Sequence, residues 1–443
     1  MGSRKLRIAW FTHVARPGQP VATMSQYCTD LLVPLLRERF DIEIFCGLYS
    51  GEHCGVPRHH LLTAYQRHRA KPFDLFFYQL EDGLLGRSLR TQIGIMPGVT
   101  WVHDLYLSDL GAEGIHTSPW ERSLAQYFNP AIPFSDRGAP PHQLRPQAFR
   151  ETALSPVSLF SSRWGKREFD RWVTARLEHV PGGHRSEFLA VPVVMRERRD
   201  SLVGDKRLRI IAVGSASGVG RAHKFLPALA ALKTPWHLTW MVEPTERDEA
   251  EVLLSEFGVS DRVSLIEGMS PQRWEDLLRS SDVALHLRSS PFGHLGPYLQ
   301  LSMAAGVAAI VMRYASGEEI PQDAVFSIVP GMHETAQILG VLEALSRRDP
   351  RTLAVSAQAL TRSENEVSVV ARRMSVLFQS AAPALVEVMA RWESLYAAAA
   401  HALLDEVRGF VDAPVGGMPG SYETIVAPFV EELHLQTLQP NRY

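Results

Sequence analysis

Apolar residues along this chain fall into short continuous runs that alternate with segments of helical spacing. Arg7-Ile8-Ala9-Trp10-Phe11 is a run of buried-strand type, Arg16 to Pro20 breaks it, and the spacing predicts a helix over 23–39 with Leu31, Leu32, Leu35 and Leu36 on one face. Strands are predicted at 42–45, 74–79, 98–104 and 158–162, and a helix over 166–175. Continuous apolar strands alternating with helices imply a parallel sheet covered on both faces. A polar stretch, 196–206, reads as a linker, and the alternation then restarts. Strands are predicted at 208–213, 236–242, 263–266, 283–287 and 308–312, with helices over 226–232, 246–257, 274–279 and 299–305. An Ala/Leu-rich helical region follows over 382–411, and a Gly/Pro break lies at 414–419. The expected class is α/β: two tandem Rossmann-like, doubly wound parallel-sheet domains facing across a cleft, plus C-terminal helices. The expected bounds are 1–195 and 207–380 for the two units, with 381–443 crossing back to the first.

Composition narrows the function more than the fold. The 443 residues carry 46 Lys plus Arg against 48 Asp plus Glu, a formal charge of −2. That balance argues against a protein whose main task is gripping nucleic acid. The three cysteines, Cys28, Cys46 and Cys54, are too few for a disulfide framework, so a reducing cytoplasm is expected. His53-Cys54 followed by His59-His60 offers metal-binding residue types, but not the complete spacing of a zinc finger. An exposed loop is the plainer account, and no metal is expected. No apolar stretch reaches the roughly 18 residues a membrane helix needs.

In doubly wound sheets, ligands bind beyond the carboxyl ends of the strands. Two such units facing each other provide one wall for a donor and one for an acceptor. The most conspicuous motif is Gly214-Ser215-Ala216-Ser217-Gly218-Val219-Gly220-Arg221, set between a strand and a helix, where backbone amides and the helix dipole favour phosphate. It is similar to the Gly-x3-Gly-x-Gly fingerprint of short-chain dehydrogenases, and Glu243 ends the next strand where a ribose-binding acid would sit. That family also needs Tyr-x3-Lys. The residues four after Tyr298, Tyr314, Tyr396 and Tyr422 are Ser302, Glu318, Ala400 and Val426, so the motif is incomplete. A Gly-rich turn without a ligand is the remaining alternative.

The second half resembles the donor domain of retaining glycosyltransferases of the GT-B fold, in the family called family 4. The residues that carry this are Phe257 to Val263, Glu267-Gly268-Met269-Ser270, Leu277 to Leu285, and Leu287 to His294 leading into Leu301 to Gly306. In the first half, Pro17 to Tyr27 occupies the place of the family's glycine-rich loop, and Tyr78-Gln79-Leu80 and His103-Asp104-Leu105 match two acceptor-side strand ends. The resemblance covers roughly residues 5 to 380 and implies transfer of a sugar from a UDP- or GDP-linked donor, without a metal or other cofactor.

By that resemblance, His103 lies near the transferred sugar, and Arg221 and Lys224 neutralise the leaving diphosphate. The donor would be held by Gly18, Gly214, Ser215, Glu243, Glu267, Gly268, Met269, His294, Leu295, Gly296 and Ser302. The bland alternatives are a core or capping histidine at 103 and solvated charges at the helix start. Some family positions differ. The usual donor-loop Gly-Glu-x-Ser-Gly reads Gly293-His294-Leu295-Gly296-Pro297, the later acid position is Leu301, and the common Asn and His after Tyr-x-Leu are replaced by Glu81-Asp82 and Gly86. Two functions follow: an active retaining transferase, or a degenerate GT-B protein serving as a binding or scaffold partner. The implied acceptor is a saccharide, a lipid-linked molecule or a protein. Peripheral membrane contact through Lys166 to Trp172 is weighed against a plain solvated helix, whose acids dilute its basic face.

Overall fold

The computed structural model describes residues 4–15, 23–48, 50–81, 89, 92–93, 96–105, 155, 157–173, 185–196, 207–216, 220–268, 270–288, 296–347 and 351–385. The expectations for 386–443 lie outside them.

The first sheet has eight strands: β1 (Arg7–Phe11), β2 (Asp41–Cys46), β3 (Gly51–His53), β4 (Val56–His60), β5 (Leu75–Leu80), β6 (Val99–Val102), β7 (Val157–Phe160) and β8 (Arg185–Phe188). Their spatial order is β3-β4-β2-β1-β5-β6-β7-β8. All neighbours run parallel except the β3–β4 hairpin. The uninterrupted apolar runs became the inner strands. Ile8, Ala9, Trp10 and Phe11 are all fully buried because β1 has covered faces on both sides. Trp10 packs on Phe77 at 4.4 Å and Phe11 stacks on Tyr78 at 4.5 Å, which locks β1 against β5. The helices α1 (Met24–Leu36), α2 (Ala64–Ala70) and α3 (Arg163–Val173) accompany this sheet. Thr23 caps α1 by accepting from the Gln26 amide.

The second sheet is parallel throughout. Its strands are β9 (Leu208–Val213), β10 (Trp236–Val242), β11 (Val263–Glu267), β12 (Val283–His286), β13 (Ala308–Met312) and β14 (Phe326–Ile328), in the order β11-β10-β9-β12-β13-β14. The order reverses between β9 and β12, the position at which such sheets open a crevice. Its helices are α4 (Ala222–Ala231), α5 (Arg247–Glu256), α6 (Pro271–Leu278), α7 (Gly296–Ala304), α8 (Glu334–Arg347) and α9 (Arg351–Glu364). Phe225, Leu226 and Leu229 from α4 and Ile338 and Leu342 from α8 are buried in one core with β9, β10 and β12. The two doubly wound units expected from the alternation are both present.

The chain returns to the first unit earlier than the pattern suggested. A helix over 367–385, α10, begins ahead of the expected 380 boundary, and Val370, Met374, Leu377, Phe378, Ala381 and Leu385 are buried in the core of the first unit. Phe378 meets Phe77 at 5.1 Å, Phe40 at 5.7 Å and Trp10 at 6.2 Å. The outgoing and returning segments touch where they cross. The Val193 amide donates to the Asn365 carbonyl, the Val367 amide to the Val193 carbonyl, and the Asn365 side-chain amide to the Val191 carbonyl at 2.9 Å.

Candidate active site

On the first unit, the carboxyl ends of β1, β5, β6 and β7 converge on a buried polar network. Gln79 Nε2 donates to Thr12 Oγ1 at 3.0 Å, to Thr29 Oγ1 at 2.7 Å and to the Ser25 carbonyl at 3.0 Å. A carbonyl can only accept, so the amide nitrogen end of Gln79 is fixed there and Oε1 is left for His103 Nε2 at 3.0 Å. The neutral His103 ring then carries its proton on Nε2, and Nδ1 accepts from Ser161 Oγ at 2.8 Å. His103 is wholly buried. The expected sugar-facing histidine is thus, in this structure, a core residue whose two nitrogens both serve the network.

The acid beside it faces the other way. Glu81, just past β5, accepts from the Ser25 amide at 3.1 Å and the Ser25 hydroxyl at 2.6 Å, at the start of α1. Burial pushes its carboxyl up to about 7; the Ser25 hydrogen bonds oppose that shift and Asp104 adds to it. Asp104 lies two residues past β6, and its charge acts on Arg288, which follows β12 in the second unit. Solvent reaches the Arg288 side chain. The surrounding protein nevertheless lowers its guanidinium pKa, and Asp104 partly restores it. This pair marks where the carboxyl edges of the two sheets oppose each other.

On the second unit, Gly214 and Gly268 follow β9 and β11 with φ of 132° and 78°. Among the described residues no atom lies within 4 Å of where a Cβ would stand on either, so both turns present bare backbone there. Their amides are already used. Gly214 N–H donates to the Met241 carbonyl and Gly268 N–H to the Val242 carbonyl, each at 3.2 Å. Gly214 therefore contributes room rather than an anion-binding amide. Between them, Glu243 follows β10 and is exposed, with its carboxyl pKa raised by desolvation and by Glu246. Ser215 Oγ donates to Glu246 Oε1, and the buried Glu246 Oε2 has no hydrogen-bond partner among the described residues. Glu267 is exposed and paired with Arg247 at 2.7 Å.

The expected cations separate. Arg221 caps α4 in a left-handed conformation, φ 60°, and its guanidinium lies 3.5 Å from the buried Glu334 at the start of α8. That pairing ties the two helix starts together instead of presenting Arg221 to a ligand. Lys224 is half-buried and has no acidic partner among the described residues. Ser302, another of the expected donor contacts, faces inward. It is fully buried in α7, donates to the Tyr298 carbonyl at 2.8 Å, and meets Trp274 Nε1 and His286 Nε2 at 3.2 and 3.0 Å. Burial lowers His286 to about 3, so this is a neutral core contact. Gly296 opens α7. Gly18, Met269, His294 and Leu295 lie outside the described residues. Arg288, Glu81 and Glu246 are additions of the structure. The available signal was their position at or just beyond strand ends, where ligands bind in this architecture.

No family model matches the sequence, and no curated protein sequence matches it significantly. Solved structures do. HepE of Anabaena in complex with UDP aligns with a TM-score of 0.60 at 14% identity, over 85% of this chain and 100% of its own. Sucrose-phosphate synthase from Thermosynechococcus elongatus aligns with a TM-score of 0.62 at 14% identity, over 85% and 99%. WaaG, a glycosyltransferase involved in lipopolysaccharide biosynthesis, aligns with a TM-score of 0.53 at 13% identity, over 84% and 99%. At these identities the likeness speaks to architecture, and together with the two facing parallel sheets it establishes the GT-B fold.

Proposed function

We propose that this chain is a glycosyltransferase of the family-4 type. It takes a sugar from a nucleotide-sugar donor held on the second unit and passes it, with retention, to a hydroxyl on an acceptor lodged against the first. The observation that carries the reading is the exposed carboxylate of Glu243 just past β10, framed by the open glycines Gly214 and Gly268. A solvent-facing carboxylate at the second strand end suits the paired hydroxyls of a ribose, and the open backbone leaves space for a flat base. HepE, an architectural relative, has been solved with UDP-glucose, which agrees with a uridine-linked donor.

Departure of a nucleoside diphosphate develops negative charge that fixed cations stabilise. Arg288 takes that role at the cleft, assisted by Lys224 at the start of α4 and by the amides that open α7. No metal is needed for this arrangement. Asp104 holds Arg288 from the opposite wall until the donor's phosphates displace it. Glu81, held near neutrality, accepts from an acceptor hydroxyl.

Isothermal titration of the full chain with UDP, GDP and UDP-glucose tests the reading, with product anomers assigned by NMR. Arg288→Ala and Lys224→Ala are expected to weaken nucleotide binding roughly tenfold each, about 1.4 kcal/mol. Arg221→Ala is expected to leave it nearly unchanged. Absence of binding to every nucleotide would overturn the proposal, and binding without turnover would turn it into a scaffold.

A further inference from the structure

Far along the first sheet from the cleft edge, the β3–β4 hairpin leans on α1. The two residues of its turn, Cys54 and Gly55, both have left-handed backbones, φ 53° and 71°, as a tight two-residue hairpin requires. The first such position favours Asn, Asp or Gly, and a cysteine there is unusual. It places the Cys54 Sγ 3.5 Å from Asp30 Oδ1 of α1, and the neighbouring His53 Nε2 lies 2.6 Å from that same oxygen. The three ligand atoms lie within 4.8 Å of one another. All three residues are partly open to solvent. The companion histidines of the sequence pattern go elsewhere: His59 lies 3.2 Å from Glu43, and His60 Nδ1 accepts from the Leu62 amide.

We propose that Asp30, His53 and Cys54 form a binding site for a zinc-class divalent cation, with water completing the tetrahedron. One oxygen, one imidazole nitrogen and one sulfur from two elements make a donor set that suits zinc and not a hard oxygen-seeking ion. Tetrahedral zinc at ordinary bond lengths needs ligand separations of about 3.3 Å for N···O and about 3.6 Å for S···O. The sulfur–oxygen distance already meets that, and the His53–Asp30 distance must widen by roughly 0.7 Å. In the metal-free arrangement, protons bridge the three atoms in place of the cation. Binding breaks the Cys54 S–H bond, forms a metal–sulfur bond and releases that single proton to solvent. The His53 proton, which bridges Nε2 to Asp30 without metal, moves to Nδ1 on binding and so frees the Nε2 lone pair, and no electrons are transferred. Burial and the neighbouring Asp30 push the Cys54 thiol up to about 12, and Arg37, which donates to the Cys54 carbonyl at 3.2 Å, opposes them only in part, so the cation itself displaces the thiol proton. The bound ion ties an exposed edge hairpin to α1, which protects that edge from pairing with another chain.

The test uses the full chain stripped with a chelator and titrated with Co²⁺, then with Zn²⁺. The expected result is one equivalent bound per chain, with a thiolate-to-cobalt charge-transfer band, and a higher Tm in zinc. Cys54→Gly removes the sulfur while suiting the left-handed backbone, so this variant folds at least as well without metal. It is expected to lose both the band and the zinc-dependent rise in Tm. His53→Asn and Asp30→Asn are expected to weaken binding by at least about tenfold. Absence of the band, or a band that survives in Cys54→Gly and so arises from Cys28 or Cys46, would overturn the proposal. Nucleotide binding is read separately and is expected to be unaffected by these variants.

Discussion

Glu81 illustrates how one side chain carries the chemistry of its strand end. An exposed carboxyl titrates near 4.5, and this one is raised to about 7. A raised folded value means that the native state binds the extra proton. The stabilisation is complete below about 4.5 and is lost as the pH rises through about 7. Glu81→Gln retains an acceptor for Ser25 and removes the titration. The slope of Tm against pH between 5 and 8 is therefore expected to flatten in that variant, and a slope equal to the parent's would refute the assignment. The residue scale is also where sequence reading succeeded least. Arg221, His103 and Ser302 all stand at positions the family resemblance marks, yet each side chain turns to a buried partner. Linear spacing fixes where a backbone atom arrives, and the direction of the side chain is decided by partners remote in sequence, such as Glu334, Gln79 and Trp274.

Elements with strong apolar patterns were legible almost to the residue. The strands at 208–213, 236–242 and 308–312 stand at their predicted bounds, because most of their residues are apolar and buried, with Arg209, His237 and Thr239 the polar exceptions at half-buried positions. The strands β3, β4 and β8 left no such signal. They sit toward the margins of the sheet, their residues are largely polar, and most of them are partly or fully exposed. α8 was missed beside β14, and α9 with them. At the start of α3 a contact between units matters more than propensity. Glu319, in the 3-10 turn Ala315–Glu319 of the second unit, accepts from the Trp164 amide at 2.7 Å and so caps a helix of the first. Next to it, Arg163 binds Glu364 through both guanidinium arms. Burial raises the Glu319 carboxyl to about 7, with the Trp164 amide opposing. Glu319→Ala is expected to cost about 1 kcal/mol in urea denaturation, the worth of a helix cap, with Glu319→Gln recovering most of it.

At the scale of the whole molecule, the sequence conveyed the two sheets but not the depth at which the last described helix is embedded. The Ala/Leu-rich run that predicted a helix begins only at 382, so most of this helix, and the core that receives it, was not anticipated. Phe378 belongs to the aromatic cluster of Trp10, Phe40 and Phe77, so Phe378→Ala is expected to destabilise the first unit by about 3–5 kcal/mol. Differential scanning calorimetry would register this as a lower first transition with the second little changed.

The paired crossing at Val193 and Glu366 has a mechanical consequence. Because departing and returning chain are hydrogen-bonded to each other at one spot, neither lobe can slide along the other without tearing those bonds. The Trp164–Glu319 and Arg163–Glu364 bonds tie the lobes at a second place, so any change in the gap between them must turn about, or break, both ties together.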